Sequence, residues 1–186
     1  MKLFLVRHGE TEENVAGILI GQHHGILTEK GKGQAKETAS ILKDKEFSHI
    51  YSSDLNRCIE TAEIIKEFHP NTPLTFTKEL RERNLGILQG QKTKEIDWIK
   101  MTGDAFGQGK PENGESVAEL KTRVLDFIKK LYDIHQNDNV LMITHNGWIK
   151  QIISYYSGLE SKDIAKVENA QVVEVEVGEN LTGKLL

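Results

Sequence analysis

An unbroken apolar run, Leu3-Phe4-Leu5-Val6, leads directly into Arg7-His8-Gly9. A strand with water on one face alternates apolar and polar side chains, so a run without alternation predicts a strand covered on both faces, as in parallel sheets. In open α/β sheets the ligand crevice lies beyond the carboxyl ends of the strands, where Arg7 and His8 fall. A guanidinium is a permanent cation whose planar donor fork matches phosphate oxygens. A neutral imidazole is a nucleophile that also titrates near physiological pH. Taken alone, an Arg-His pair at a strand end is also an ordinary solvated loop.

The segment Val140-Leu141-Met142-Ile143-Thr144-His145-Asn146-Gly147 repeats the design: an apolar strand, a histidine, then a glycine close behind. If the two strands are neighbours in a parallel sheet, His8 and His145 converge on one crevice, and the glycines let backbone approach a ligand closely. A metal site is the rival explanation for paired histidines. Arg7 beside His8, with no carboxylate or thiol at ligand spacing, speaks against it, and no metal or cofactor is expected.

Length and composition bound the rest. The 186 residues, 38% hydrophobic and 28% charged, suit one globular domain. The apolar run before Arg7 is too short for a signal-peptide core and no stretch reaches membrane-spanning length, so a cytoplasmic protein without membrane contact is expected. A single cysteine, Cys58, excludes an internal disulfide, fits a reducing compartment and is expected to pack within a helix. The net charge of -4 offers nucleic acid no general attraction, so an anionic substrate must be drawn by a local cluster of Arg and His.

Strand and helix patterns alternate along the chain, the pattern of an α/β sandwich. Thr28 caps a helix to about Lys45, weakened locally by Gly31 and Gly33. His49 to Tyr51 reads as a strand, and Ser52-Ser53-Asp54 supplies capping oxygens for a helix with Leu55, Cys58, Ala62 and Ile65 on its inner face. Leu74 to Phe76 is a third strand. Ser116 and Glu119 form a capping box before a helix buried through Leu120, Val124, Phe127 and Leu131. Val140 to Thr144 is the fourth strand, Trp148 to Tyr156 a helix, and Val172 to Val177, alternating Val with Glu, an edge strand with one wet face. A short last strand near Leu185 is allowed.

Arg57 stands in the first turn of the helix after the second strand. A cation there opposes the helix dipole unless an anion sits between them; its ordinary partner would be Asp54 or Glu60. In Glu79-Leu80-Arg81-Glu82-Arg83, a carboxyl group can serve as the acid that phosphoester cleavage needs. The residues alone leave Glu79 and Glu82 equal, beside the plainer view of a solvated charge run.

Together these blocks resemble a family. Arg7-His8-Gly9-Glu10-Thr11 with Asn14, Leu27-Thr28 with Gly31 and Gln34-Ala35, Ser52-Ser53-Asp54-Leu55 with Arg57 and Thr61-Ala62, Leu80-Arg81-Glu82 with Gly86 and Gly90, and His145 are similar, in order and spacing, to the histidine phosphatase superfamily, the phosphoglycerate-mutase-like proteins. The resemblance implies a three-layer α/β/α sandwich around a mostly parallel sheet with one antiparallel strand. It implies His8 as the nucleophile that becomes phosphohistidine, and Arg7, Arg57 and His145 holding the phosphoryl oxygens. Asn14 is a further phosphate contact, and Glu82 rather than Glu79 is the acid. For His145 to act as a cation it must hold a proton, which a nearby phosphate favours.

A single domain over residues 1–186 is expected, with a short lid-like insertion around 91–113, where Lys92, Lys94, Lys100 and Lys110 but no arginine accompany Trp98, Ile99, Met101 and Phe106. The mutases that the chain resembles carry a longer basic insertion, so hydrolysis of a small phosphorylated metabolite is favoured over a mutase. A non-catalytic binder of a phosphorylated ligand is the alternative of another class. The lid's apolar side is expected simply to pack on the domain. Gly21, Gln22 and Asn146 flank the cleft as substrate-binding candidates, while His23 and His24 read as exposed loop residues. The expected partner is a small phosphorylated substrate, with the chain a monomer or homodimer. Sugar phosphates, sugar bisphosphates, α-ribazole phosphate and phosphoproteins stay open.

Overall fold

The structure, a computed structural model, describes residues 1–186. Six strands, β1 (Lys2–Arg7), β2 (His49–Ser53), β3 (Leu74–Thr77), β4 (Asn139–Thr144), β5 (Val172–Val177) and β6 (Gly183–Leu185), form one sheet in the order β3-β2-β4-β1-β5-β6. The strands β3, β2, β4 and β1 run parallel, and β5 is antiparallel to both of its neighbours. The helices are α1 (Glu12–Ala16), α2 (Glu29–Leu42), α3 (Asn56–Lys66), α4 (Trp98–Thr102), α5 (Val117–Ile134) and α6 (Asn146–Ser157). This is the expected mostly parallel α/β sandwich with one antiparallel strand.

The absence of alternation in β1 and β4 has the anticipated cause. Leu3, Leu5, Val140 and Met142 pack with Leu120, Val124, Trp148 and Ile149 of α5 and α6. The intervening Phe4, Val6, Leu141 and Ile143 pack with Ala39, Leu42, Cys58, Ala62 and Ile65 of α2 and α3. Each fully buried Leu, Ile, Val or Phe stabilises by roughly 1.5–3 kcal/mol, so the central strands anchor both layers. The Ser116–Glu119 box caps α5, and Thr28 caps α2 by accepting from Gly31 N.

Two expectations need correction. The strand β5 is not at the edge: β6 covers it, and β3 and β6 are the outer strands. Its Val-Glu alternation reports one-sided burial, with Val175 and Val177 in the core and Glu174 paired to Lys2 at 3.0 Å, which is compatible with an interior place in the sheet. The helix α3 also lacks the anticipated cap: Leu55 occupies the N-cap without a side-chain bond, because Ser52 and Ser53 still belong to β2 and are fully buried.

Candidate active site

The neighbouring strands β1 and β4 run in register, Arg7 opposite Thr144, so the next residue of each places His8 beside His145 at the carboxyl edge, ring centroids 5.2 Å apart. His8 is 4% exposed, with Nδ1 2.8 Å from the Gly9 carbonyl. A carbonyl only accepts, so Nδ1 carries the hydrogen and Nε2 keeps its lone pair. Burial first, and then the charges of Arg57 and Arg7, hold the His8 imidazole well below its ordinary pKa. At neutral pH it is uncharged and nucleophilic.

Neither arginine has a carboxylate partner. Arg7 donates Nη1 to the Val167 carbonyl at 2.6 Å. Arg57, 1% exposed, donates to the carbonyls of His23 and Gly21 at 2.7 and 2.8 Å. Asp54, offered by spacing as a partner of Arg57, instead takes Arg81 through two 2.6 Å bonds. The Nε atoms of Arg7 and Arg57 are buried and bond nothing. Leaving charged donors dry and unpaired costs several kcal/mol, which an oxyanion between them would offset.

His145 is no cation in the unliganded protein, whereas the expectation of one concerned a bound phosphate. Arg57 Nη2 lies 3.0 Å from its Nδ1, and a guanidinium can only donate, so Nδ1 is the accepting nitrogen. Its Nε2 then donates to Ser53 Oγ at 2.9 Å. Burial, reinforced by Arg57 and His8, holds its pKa well below the usual value, so in the unliganded protein His145 is neutral and orients Arg57. Cys58, with Sγ 3.4 Å from His145 Nε2, belongs to the α2–α3 core; burial pushes its thiol up to about 12, leaving it unreactive.

Glu82 lines the same cleft and Glu79 does not. The Glu82 oxygens accept from the backbone N–H of Arg83 at 2.9 Å and of Gly147 at 3.0 Å. A Cβ at position 147 would collide with Glu82 Oε1, so the glycine after Asn146 leaves room for this carboxylate, and it lines the cleft as well. Among the substrate-binding candidates, Asn14, Gly21 and Asn146 line the cleft, but Gln22 does not. Its carboxamide turns to the Glu82 carbonyl at 3.1 Å and supports the loop from behind. Both His23 and His24 are exposed.

The sequence reading missed a clasp from the chain's far end. Asn169 Nδ2 donates to the His8 carbonyl at 3.0 Å and to Asn14 Oδ1 at 3.2 Å. Thr11 N–H also donates to that oxygen at 3.3 Å, leaving the Asn14 amide hydrogens for a ligand. No local pattern marks Asn169, since its partners lie more than 150 residues away. Ser53 and Arg83 were equally hidden, one inside a capping motif and the other inside a charge run.

The cleft holds about 320 Å³. Trp98 and Phe106 form part of its wall, and Ile99 and Phe106 are 65% and 67% exposed, so the lid segment does not simply pack its apolar side on the domain. Nowhere do three or more His, Cys, Asp or Glu side chains converge as metal ligands, and no helix is long and apolar enough to cross a membrane.

Comparison with known proteins agrees with this geometry. The chain is 31% identical over 188 residues, 97% of its length and 87% of the relative's, to a protein of Escherichia coli O1:K1 / APEC named probable phosphoglycerate mutase GpmB. Among solved structures, Bacillus stearothermophilus YhfR superposes with a TM-score of 0.89 at 29% identity, covering 99% of this chain and 94% of that one. A phosphoserine phosphatase from Entamoeba histolytica, solved with 3-phosphoglyceric acid, gives a TM-score of 0.85 at 26% identity, covering 99% and 94%. The model of the histidine phosphatase superfamily (branch 1) matches residues 3–183, and the chain belongs to that family.

Proposed function

We propose that the chain is a phosphomonoester hydrolase that passes the phosphoryl group through His8. One observation carries this reading: an imidazole whose Nδ1–H is tied to the Gly9 carbonyl lines the same cleft as two guanidinium groups that have no carboxylate partner. The first leaves Nε2 free to attack. The second leaves uncompensated positive charge for the oxygens on which charge accumulates during phosphoryl transfer.

His8 Nε2 bonds to phosphorus as the ester P–O bond breaks, and the Glu82 carboxyl gives its proton to the departing oxygen. Water then attacks phosphorus and gives a proton to Glu82, the P–N bond breaks, and inorganic phosphate leaves. Arg7 and Arg57 hold the transferring oxygens, and His145 keeps Arg57 aimed.

A mutase has one specific support, the name of the 31% identical relative. Against it, Lys92, Lys94, Lys100 and Lys110 of the lid segment are all exposed and outside the cleft, where that segment contributes Trp98 and Phe106. Rapid-quench labelling with a radioactive phosphomonoester is expected to give an acid-labile adduct in the wild type and none in His8→Ala. Glu82→Gln should slow alkyl phosphates by about 10²–10⁴-fold and p-nitrophenyl phosphate much less. Full activity in His8→Ala would sink the scheme. Conversion of 3-phosphoglycerate to its isomer without release of inorganic phosphate would favour the mutase.

A further inference from the structure

The proposed acid, Glu82, stands on a stretch of chain that from Arg81 to Leu85 belongs to no helix or strand. Its carbonyls lack the partners that a ladder would supply, and buried carbonyls must find others. Between Glu79 and Glu82 side chains provide them. Trp148 Nε1 donates to the Glu79 carbonyl at 3.0 Å, Thr144 Oγ1 to the Leu80 carbonyl at 2.8 Å and Gln22 Nε2 to the Glu82 carbonyl at 3.1 Å.

Arg123, in the second turn of α5, joins them from one point. Its Nη1 donates to the carbonyls of Glu79 and Arg81 at 2.8 and 3.0 Å, and its Nη2 reaches the Glu82 carbonyl at 3.4 Å. The other donors go to one carboxylate, Nε to Glu115 Oε1 at 3.0 Å and Nη2 to Glu115 Oε2 at 2.9 Å. A guanidinium has five N–H donors, and here each has an acceptor. Glu115 also grips the far side of the stretch: its Oε2 accepts from the Asn84 N–H at 3.3 Å, and its backbone N–H donates to the Asn84 carbonyl at 2.7 Å. The side chains of Arg123 and Glu115 are 20% and 16% exposed, so solvent screens this pair less than an open surface pair. Arg123 does not line the cleft, and with every donor taken it has none to offer a ligand.

We infer that Arg123, braced by Glu115, is a positioning residue for Glu82. The carboxylate of Glu82 is set by the N–H groups of Arg83 and Gly147. Arg123 sets the backbone from which that side chain extends. A lysine would bring the charge but not the planar fork that spans three carbonyls and a carboxylate at once. The role rests on the hydrolytic reading of the cleft, in which Glu82 gives a proton to the departing oxygen. An acid moved out of line loses much of its effect, and a poor leaving group feels that loss most.

The test measures kcat of Arg123→Gln on ethyl phosphate and on p-nitrophenyl phosphate. The expected loss is about 10- to 100-fold on the alkyl ester and less than about threefold on p-nitrophenyl phosphate, whose anion leaves without a proton. In a Glu82→Gln background the same substitution should cost the alkyl ester little more, because both changes act through one group. Equal losses on the two esters, or full additivity with Glu82→Gln, would make Arg123 a merely structural residue and overturn the role. Hydrogen exchange of the Arg83 and Gly147 amides, which Glu82 holds, gives a readout independent of turnover. Both should exchange faster in Arg123→Gln while Leu5 and Met142 of the central strands do not change, and unaltered exchange at Arg83 and Gly147 also overturns the role. If the wild type hydrolyses neither ester, the hydrolytic reading fails separately, and exchange alone decides whether Arg123 places Glu82. Should Arg123→Gln not fold, Arg123→Lys takes its place in both measurements. If neither folds, Arg123 serves the fold as a whole and the role is overturned.

Discussion

A single carboxamide, that of Asn169, reaches both the backbone of His8 and the side chain of Asn14. Its donors fix where the His8 carbonyl sits and which way Asn14 faces, so it is a positioning residue that need not touch substrate. A net hydrogen bond stabilises by about 0.5–1.5 kcal/mol, so Asn169→Ala should lower kcat by about tenfold. If it acts through Asn14, the loss in Asn169→Ala/Asn14→Ala will fall short of the sum of the two single losses. Full additivity would assign Asn169 a separate, merely structural part. The contrast with His8 is instructive about what a sequence can show. Arg7, His8, Arg57, Glu82 and His145 were legible because each stands at a strand end, a helix start or in a family motif. Asn169 and Ser53 were not, because a hydrogen bond spanning most of the chain leaves no trace in local spacing. The charge state of His145 in the unliganded protein was not legible for a related reason: only the placement of Arg57 Nη2 reveals that Nδ1 accepts.

Among the elements, α2 shows how tightly the loop after β1 is seated. Gly31 in its first turn backs onto the chain at Glu10, and a Cβ there would collide with the Glu10 carbonyl; Gly33, two residues on, is exposed with open space around it. The two glycines look alike in sequence, both weak points in a helix. They should answer oppositely to alanine. Gly33→Ala should stabilise the protein by roughly 0.5–1 kcal/mol through helix propensity alone. Gly31→Ala should destabilise it by about 1–3 kcal/mol, as overpacking does, and reduce activity by displacing the loop between His8 and Thr11. Denaturant midpoints for the two variants check this, and a Gly31→Ala protein as stable and active as the wild type would refute the close approach. Elements were most legible where both faces are covered, as in β1 and β4. They were least legible where pattern and position are independent: the alternation of β5 reports a wet face, and pairing with β6 at its far side left no mark on the residues of β5 itself.

On the scale of the whole molecule, the candidate site is where folding and the proposed function oppose each other. The sheet's carboxyl edge gathers Arg7, Arg57, His8 and His145, all 4% exposed or less, with no acid bonded to either guanidinium. The fold tolerates this by keeping both imidazoles uncharged, and that sets a pH dependence whose sign follows directly. In the unfolded chain each histidine titrates near its ordinary pKa of about 6.5. In the folded protein burial and the arginines depress both well below it. At pH 7.5 neither state binds these protons and the two groups contribute nothing. As pH falls below about 6.5 the unfolded chain takes up protons that the folded one refuses, so stability declines until the folded pKa values are reached. The slope is at most about 1.4 kcal/mol per pH unit for each histidine. An oxyanion bound between the arginines changes the balance, because it favours a proton on His145. Low millimolar sulfate, a dianion throughout this range, should therefore raise Tm more at pH 5.5 than at pH 7.5, against chloride of equal ionic strength. The variant His8→Asn/His145→Asn should show a flatter decline of Tm over the same interval than the wild type. A decline as steep in that variant would place the responsible protons elsewhere, with His49 and His69, whose pKa values burial lowers too, as the next groups to replace.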